Sequence, residues 1–311
     1  MSLVVNGKSA DRIIQGTAQL SPLAQAQANA LLDDVVAAGA TTFDLAENYG
    51  GGKSEALFGN WLAERGNRDD LFIITKGAHP YGGRGRVTRA DIEADVTGSL
   101  ERLGCGFVEL YLLHRDDESV PVGEVVDVLH GLKARGLVSA YGLSNWRSER
   151  IAAANEYAEA NGYEPVRASS PHFSLAVPTE SPWPGCVSVS GPDGTAERAF
   201  YAAAGLPVLA WSSLAMGYFV APEPGATTAV GLNEAVRVFD TRANAARRAR
   251  AAELGARLGL SAPQVALLYV LSQPFDTHAI VGCRSGDEYR ELRALAERRL
   301  AAAEVGWLEG T

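Results

Sequence analysis

The sequence predicts an α/β protein of one domain, residues 1–311, built as a closed (β/α)8 TIM barrel with an N-terminal β-hairpin and extra helices near its C-terminus. Three observations carry this prediction. Short apolar runs of strand length alternate with helix-length periodic stretches from end to end. Eight such runs can be counted, which favours a closed barrel over an open sheet. Their ends are marked by chemically complementary polar residues, and the ends of barrel strands converge on one face. A chain of 311 residues suits one such barrel with additions, since barrels routinely occupy about 250 residues as one domain.

The elements follow in order. Residues 3–5 and the Asn6-Gly7 pair read as a hairpin, because Asn-Gly suits a two-residue turn with positive φ. The first barrel strand is 12–15, ending at Gly16-Thr17. The second is 41–43 before Asp44, the third 71–75 before Lys76, and the fourth 108–113 leading to His114. The fifth, 140–143, ends at Ser144-Asn145, and the sixth lies near 166–169. The seventh, 208–210, precedes Trp211, and the eighth, 279–281, precedes Gly282.

Helices are placed at 24–38 before Gly39, from a Ser54 cap to Arg65 before Gly66, and at 89–103 before Gly104. Others fall at 122–135, 148–161 and 195–204. Two stretches, 244–258 and 262–271, lie between strands seven and eight, so one is an extra helix. The Pro- and Gly-rich segment 178–194 is long for a loop and reads as a cap over the barrel mouth.

A hydrophobic content of 47% with 21% charged residues is ordinary for a globular protein with a large core. The N-terminus lacks the basic and apolar regions of a signal peptide, and no apolar run approaches the ~20 residues that span a bilayer. A cytoplasmic protein without a membrane partner is expected. Cys105, Cys186 and Cys283 are far apart and read as reduced thiols, with neither a metal site nor a disulfide framework. The net charge of −9 argues against general nucleic-acid binding, which needs a basic surface. His79, His130, His172 and His278 show no metal-ligand spacing.

The chemistry rests on Asp44, Tyr49, Lys76 and His114, which the strand ends would bring into one pocket. A phenol, an ammonium, a carboxylate and an imidazole suit proton transfer to a carbonyl oxygen. The ammonium lowers the phenol's pKa and the carboxylate holds the ammonium in place. Taken singly, each has an ordinary role: a half-buried aromatic, a solvated strand end, a turn residue and a core histidine. Their joint spacing carries the functional reading.

In this order the residues resemble the aldo-keto reductases, barrel oxidoreductases that use a nicotinamide cofactor. The resemblance runs from Gly16-Thr17-Ala18 to Glu291. Its strongest pieces are Phe43-Asp44-Leu45-Ala46-Glu47-Asn48-Tyr49-Gly50 with Ser54-Glu55, then Thr75-Lys76, then Ser99-Leu100-Glu101-Arg102-Leu103-Gly104 leading to His114. Gly106 and Glu109 stand where the family often has aspartates, at the strand entrance and away from the chemistry. The resemblance implies that Tyr49 is the general acid in carbonyl reduction, with Lys76 and Asp44 supporting it and His114 orienting the carbonyl. The hydride comes from the cofactor.

The same resemblance assigns Gly16, Thr17, Ser144, Asn145 and Ser170 to the nicotinamide end, the last in place of a usual glutamine. Trp211 would lie against the nicotinamide face. Ser212, Ser213, Leu214 and Gly217 resemble the pyrophosphate loop, and Gly282, Arg284, Ser285, Glu288 and Glu291 the adenosine end. Arg284-Ser285 favours NADP over the alternative, NAD, because the guanidinium fork suits a 2′-phosphate. Glu288 opposes it unless it swings to pair with Arg284 or Arg290.

Substrate specificity falls to loops 79–86, 173–194 and 218–231 and to Trp146. Expected pocket residues are His79, Trp146, Phe173, Trp183 and Tyr218, with Ser170, His172 and Arg84 as hydrogen-bonding candidates. The partner is a small carbonyl compound or alcohol: an aldehyde, a ketone or a keto-sugar. Two alternatives stand beside this. One is a non-catalytic nicotinamide-binding regulatory subunit of the same fold. The other, a lyase with Lys76 as a Schiff base, is disfavoured by the accompanying Asp, Tyr and His.

Overall fold

A computed structural model describes residues 3–220 and 232–310. The chain opens with β1 (Val4–Val5) and β2 (Lys8–Ser9), antiparallel about Asn6 at φ 50° and Gly7 at φ 77°, the left-handed pair that such a turn requires. The barrel follows as β3 (Ile13–Gly16), α1 (Gln25–Ala37), β4 (Thr42–Asp44), α2 (Lys53–Arg65), β5 (Phe72–Gly77), α3 (Arg89–Leu103) and β6 (Val108–Leu113). It continues through α4 (Val122–Ala134), β7 (Val138–Ser144), α5 (Ser148–Ala160), β8 (Ser169–Ser170), α6 (Thr195–Ala204) and β9 (Val208–Ala210). Then come α7 (Leu232–Phe239), α8 (Arg242–Leu258), α9 (Ala262–Leu271), β10 (Thr277–Val281), α10 (Gly286–Arg293) and α11 (Ala302–Glu309). Strands β3 to β10 pair in parallel in chain order, and β10 returns to β3 to close the barrel.

Three elements depart from expectation. The sixth strand is regular only at Ser169–Ser170, although Arg167 N already donates to Tyr141 O at 2.9 Å. Ser54 does not cap α2, which begins one residue earlier after Gly52; its hydroxyl instead donates to Thr17 O at 2.8 Å. Three helices, α7, α8 and α9, occupy the connection where two were expected, and α10 and α11 follow the last strand.

Side-chain alternation explains where the site must lie. Ile14, Phe72, Ile74, Leu110, Leu112, Ala140, Ala168, Leu209 and Ile280 form one buried cluster inside the barrel, and Leu3, Val5 and Ala10 of the hairpin region join it. The intervening strand residues, such as Ile13, Phe43, Ile73, Tyr111 and Val208, belong to the outer core under the helices. With a period of two, the next inward positions after Ile74, Leu112, Ala168 and Leu209 are Lys76, His114, Ser170 and Trp211.

At the strand entrances, Glu109 is buried and accepts from Lys8 Nζ at 2.9 Å, from Arg68 Nη1 and Nη2 at 3.0 Å each, and from Ile73 N at 2.9 Å. This ties the hairpin to the barrel floor. Buried Glu55 of α2 pairs with Arg102 of α3, 2.7 Å apart, and accepts the Thr75 hydroxyl. Two motif residues of the sequence thus have a structural role. No single helix among the described residues is long and apolar enough to cross a membrane.

Candidate active site

Asp44 ends β4 and Lys76 lies on the neighbouring β5, both almost wholly buried. Beyond β4 the chain stays bound to β5, with Leu45 N donating to Ile74 O and Glu47 N to Lys76 O. Gly50, Gly51 and Gly52, all with positive φ, then turn it into α2. Tyr49 N donates to Ala46 O at 3.1 Å, and this turn brings the phenol back over Lys76. Lys76 Nζ donates to Asp44 Oδ2 at 2.7 Å, Leu45 O at 2.9 Å and the Tyr49 hydroxyl at 3.0 Å. An ammonium has three protons, and all three are placed.

Burial pushes the Lys76 ammonium down, but Asp44 and Tyr49 outweigh it and hold it above its ordinary value. The lysine is therefore a fixed cation. Burial likewise raises the Tyr49 phenol, against the opposing charge of Lys76. Lys76 acts in the expected, lowering direction, but burial outweighs it and the net shift is upward. The phenol stays protonated at neutral pH, the state that a proton donor needs.

His114, 8% exposed, follows β6 with its ring 6.1 Å from that of Tyr49. Burial, then the charges of Lys76, Arg115 and His79, push its pKa well down, so the imidazole is neutral. Its Nδ1 is buried without a partner among the described residues, and the tautomer with the proton on Nε2 leaves only a lone pair unmatched there. The four residues thus meet, with two neutral donors, Tyr49 and His114, flanking one mouth.

The residues expected at the nicotinamide end also converge. Thr17 Oγ1 donates to Asp44 O at 3.0 Å, and Gly16 lies beside Asp44 in the sheet. Ser144 Oγ donates to Ser170 O, and Ser170 Oγ to Leu209 O, each at 2.8 Å. Asn145, left-handed at φ 60°, has a fully engaged amide. Its Nδ2 donates to His114 O and Ser144 Oγ, while its Oδ1 accepts from Val187 N and, at 3.2 Å, from Trp211 Nε1. In this arrangement Asn145 holds Trp211 in place.

Beyond Trp211, Ser212, Ala215, Met216 and Gly217 all have positive φ. The amides of Ser212, Ser213 and Leu214 donate to no protein group among the described residues. Unpaired amides on such a loop form a concavity suited to phosphate oxygens. The donor chemistry therefore fits a dinucleotide.

At the start of α10, Ser285 Oγ accepts from Glu288 N at 3.2 Å, and Glu288 Oε2 accepts from Arg284 N at 2.7 Å. Ser285 therefore caps the helix, and Glu288 meets the Arg284 amide rather than the guanidinium of Arg284 or Arg290; Arg290 meets Asp287 instead. Gly286 N donates to Asp34. The Arg284 side chain is exposed and meets no carboxylate among the described residues, and Gly282 and Glu291 are exposed nearby.

Of the expected pocket residues, His79 sets its half-buried ring edge-on to His114 at 5.1 Å, and exposed Trp183 lies 5.7 Å from Trp211. The segment 178–194 thus reaches the mouth. Two expectations are corrected. Phe173 is wholly buried against Tyr269 and Phe275, on the outer side of the barrel wall. Trp146 is wholly buried under the Arg150 guanidinium, 4.9 Å from its ring. Tyr218 packs on Phe239 with little exposure.

Arg84 turns its exposed guanidinium to Asp91, and His172 is buried between Ser188 and Ser174. Residues 221–231 of the expected specificity loop lie outside the described residues. Arg115 was missed, although a cation directly after a strand-end histidine was a legible signal. Among the described residues no His, Cys, Asp or Glu cluster is placed to hold a metal. A separate cleft of about 550 Å³ at the opposite face, lined by Arg12, His278, Tyr289 and Arg293, shares no residue with this site.

Comparison with known proteins matches residues 12–310 to the Aldo/keto reductase family. A norsolorinic acid reductase of Emericella nidulans is 27% identical over 293 residues, 88% of this chain and 69% of that protein. An aldo-keto reductase of Aspergillus calidoustus is 33% identical over 156 residues, 47% of this chain and 39% of that protein. A solved aldo-keto reductase from Klebsiella pneumoniae, in complex with NADPH, has the same fold with a TM-score of 0.74 at 20% identity, over 98% of this chain and 92% of that one.

Proposed function

The chain belongs to the aldo/keto reductase family, and from that premise we propose that it is an NADP(H)-dependent oxidoreductase that interconverts a carbonyl and an alcohol, with Tyr49 as the proton donor. One observation carries the reading. Lys76 Nζ touches both Asp44 Oδ2 and the Tyr49 hydroxyl, at 2.7 and 3.0 Å, beside the neutral imidazole of His114. A role in cofactor binding alone would not require this proton path.

When bound, the nicotinamide supplies the hydride. The Trp211 ring would hold its face, the free amides of Ser212, Ser213 and Leu214 its pyrophosphate, and Arg284 with Ser285 its adenosine end. His114 directs Nε2–H at the substrate carbonyl and fixes it beside Tyr49. The Tyr49 hydroxyl gives its proton to the developing alkoxide. Lys76 then stabilises the phenolate left behind, and Asp44 keeps that ammonium in place. The name of the Emericella relative, a reductase, agrees with the reductive direction.

The test is a panel of aldehydes, ketones and keto-sugars followed by nicotinamide absorbance with NADPH and NADH. Turnover that disappears in Tyr49→Phe supports the assignment. A panel left unreduced, or a Tyr49→Phe protein near wild-type rate, refutes it.

A further inference from the structure

Arg115 follows His114 directly and is only 6% exposed. Its Nη1 donates to His114 O at 2.7 Å and its Nε to Pro184 O at 3.1 Å. Both acceptors are neutral carbonyls. A guanidinium carries five N–H donors, so three remain on the outer edge of the fork, where no protein partner meets them among the described residues.

Among the described residues no carboxylate compensates this charge. The acidic groups close enough to act on it are the Cys186 thiol and the Tyr49 phenol, and burial depresses the guanidinium below its ordinary value. Arg115 is the one arginine that is buried among the described residues; of the half-buried ones Arg198, Arg247 and Arg250 likewise meet only neutral acceptors, whereas several others meet a carboxylate. Arg68 meets Glu109, Arg86 meets Asp95, Arg102 meets Glu55 and Arg150 meets Asp116. Arg12, which also lacks a carboxylate, fills its fork with the carbonyls of Leu271, Thr277 and Ala296 at the opposite face. A buried charge left without a partner is costly, and at a pocket mouth it marks a place for an anion.

We propose that Arg115 is an anion anchor of the substrate pocket, so that the site takes carbonyl compounds bearing a carboxylate; this rests on the reading of Tyr49 and His114 as the reducing site. Its position sets the geometry. Bonded to the carbonyl of His114, the guanidinium lies next to the residue that orients the reacting group. The segment carrying Trp183 packs along its stem, where a Cβ on Gly185 would stand 3.2 Å from Arg115 Cδ. The carboxylate would meet the free edge of the fork in two parallel hydrogen bonds while the carbonyl faces Tyr49.

The obvious alternative is a strut, with Arg115 merely holding Pro184. A matched pair separates the two: 4-formylbenzoate and its neutral methyl ester, assayed with wild type, Arg115→Met and Arg115→Lys. The wild-type KM should be lower for the carboxylate by about tenfold, the factor that about 1.4 kcal/mol of binding supplies. Arg115→Met should erase this preference, and Arg115→Lys should keep part of it. A wild type indifferent to the charge, or an Arg115→Met protein with both KM values raised equally, overturns the proposal.

Calorimetric titration of benzoate into wild type and the Met variant reads the anchor without turnover. Binding lost in the variant supports the proposal, and equal binding overturns it. Where neither carbonyl is reduced but benzoate binding depends on Arg115, it is the reductase reading that fails. Should Arg115→Met not fold, the wild-type substrate comparison and Arg115→Lys decide.

Discussion

Lys76 Nζ donates to the Tyr49 hydroxyl at 3.0 Å, yet burial still leaves the phenol above its ordinary pKa. The proton donor therefore remains loaded across neutral pH. His114 is displaced downward and stays neutral there as well. Carbonyl reduction should give a kcat that is flat from about pH 6.5 to about pH 10, the ordinary His and Tyr values, and falls only above that. An acid limb near the ordinary histidine value would contradict the direction for His114, and a basic limb well below the ordinary phenol value that for Tyr49.

Lys76→Met should differ from Tyr49→Phe in kind. The phenylalanine removes one oxygen and should cost ~10²–10⁴ in rate with little loss of stability. The methionine leaves the Asp44 carboxylate buried without its cation, a loss of about 3–5 kcal/mol. Urea unfolding should show this, and the double variant Asp44→Asn/Lys76→Met should recover part of it. Equal stability of Lys76→Met and wild type would mean that Asp44 is not charged in the fold.

His172 supplies a pH dependence of stability. It is wholly buried, and burial pushes its pKa down to about 3. A depressed folded-state value means that the unfolded chain binds the proton first. Stability is therefore complete above the unfolded value of about 6.5 and is lost as the pH falls, by up to about 1.4 kcal/mol per unit from this group. His172→Gln should flatten the slope of unfolding free energy between about pH 6 and about pH 4. An unchanged slope would assign the acid sensitivity elsewhere.

Trp211 should report cofactor binding. Its indole is held by Asn145 at 3.2 Å and it lies at the mouth beside Trp183. Titration with NADPH should quench tryptophan emission, Trp211→Ala should remove most of the quenching, and Asn145→Ala should weaken it by freeing the ring. Quenching that survives Trp211→Ala would place the nicotinamide away from this ring.

Arg284→Ala should raise the dissociation constant for NADPH about tenfold, about 1.4 kcal/mol, with little effect on NADH. The exposed guanidinium is free to meet a 2′-phosphate, while Glu288 is turned to the Arg284 amide. Equal changes for both dinucleotides would show that Arg284 does not read the 2′-phosphate.

Much of the barrel was legible because its signals are local. A two-residue period, a left-handed Asn6-Gly7 turn and a glycine after a helix each act within a few residues. The helices whose positions the sequence did not mark, α7, α10 and α11, gave weaker signals. Most of α10 is polar, and its buried ring, Tyr289, is one residue in eight. The meeting of Asp44, Tyr49, Lys76 and His114 was also legible, because strand order in a parallel barrel follows chain order.

Facing and competition were not legible. Phe173 and Trp146 follow strand ends as His114 does, yet both are buried in the outer core. Asn145 has the right chemistry for a ligand, yet its amide is filled by His114, Ser144, Val187 and Trp211, residues far apart in the chain. The sequence by itself determined the barrel, the order of its strands and the identity of the four polar groups at their ends, because these follow from periodicity and chain order. Only the tertiary structure decided the direction of the Tyr49 shift, the role of Asn145 and the isolation of Arg115. Burial and the competition for each donor depend on every element packed around a group, and a one-dimensional pattern does not contain those neighbours.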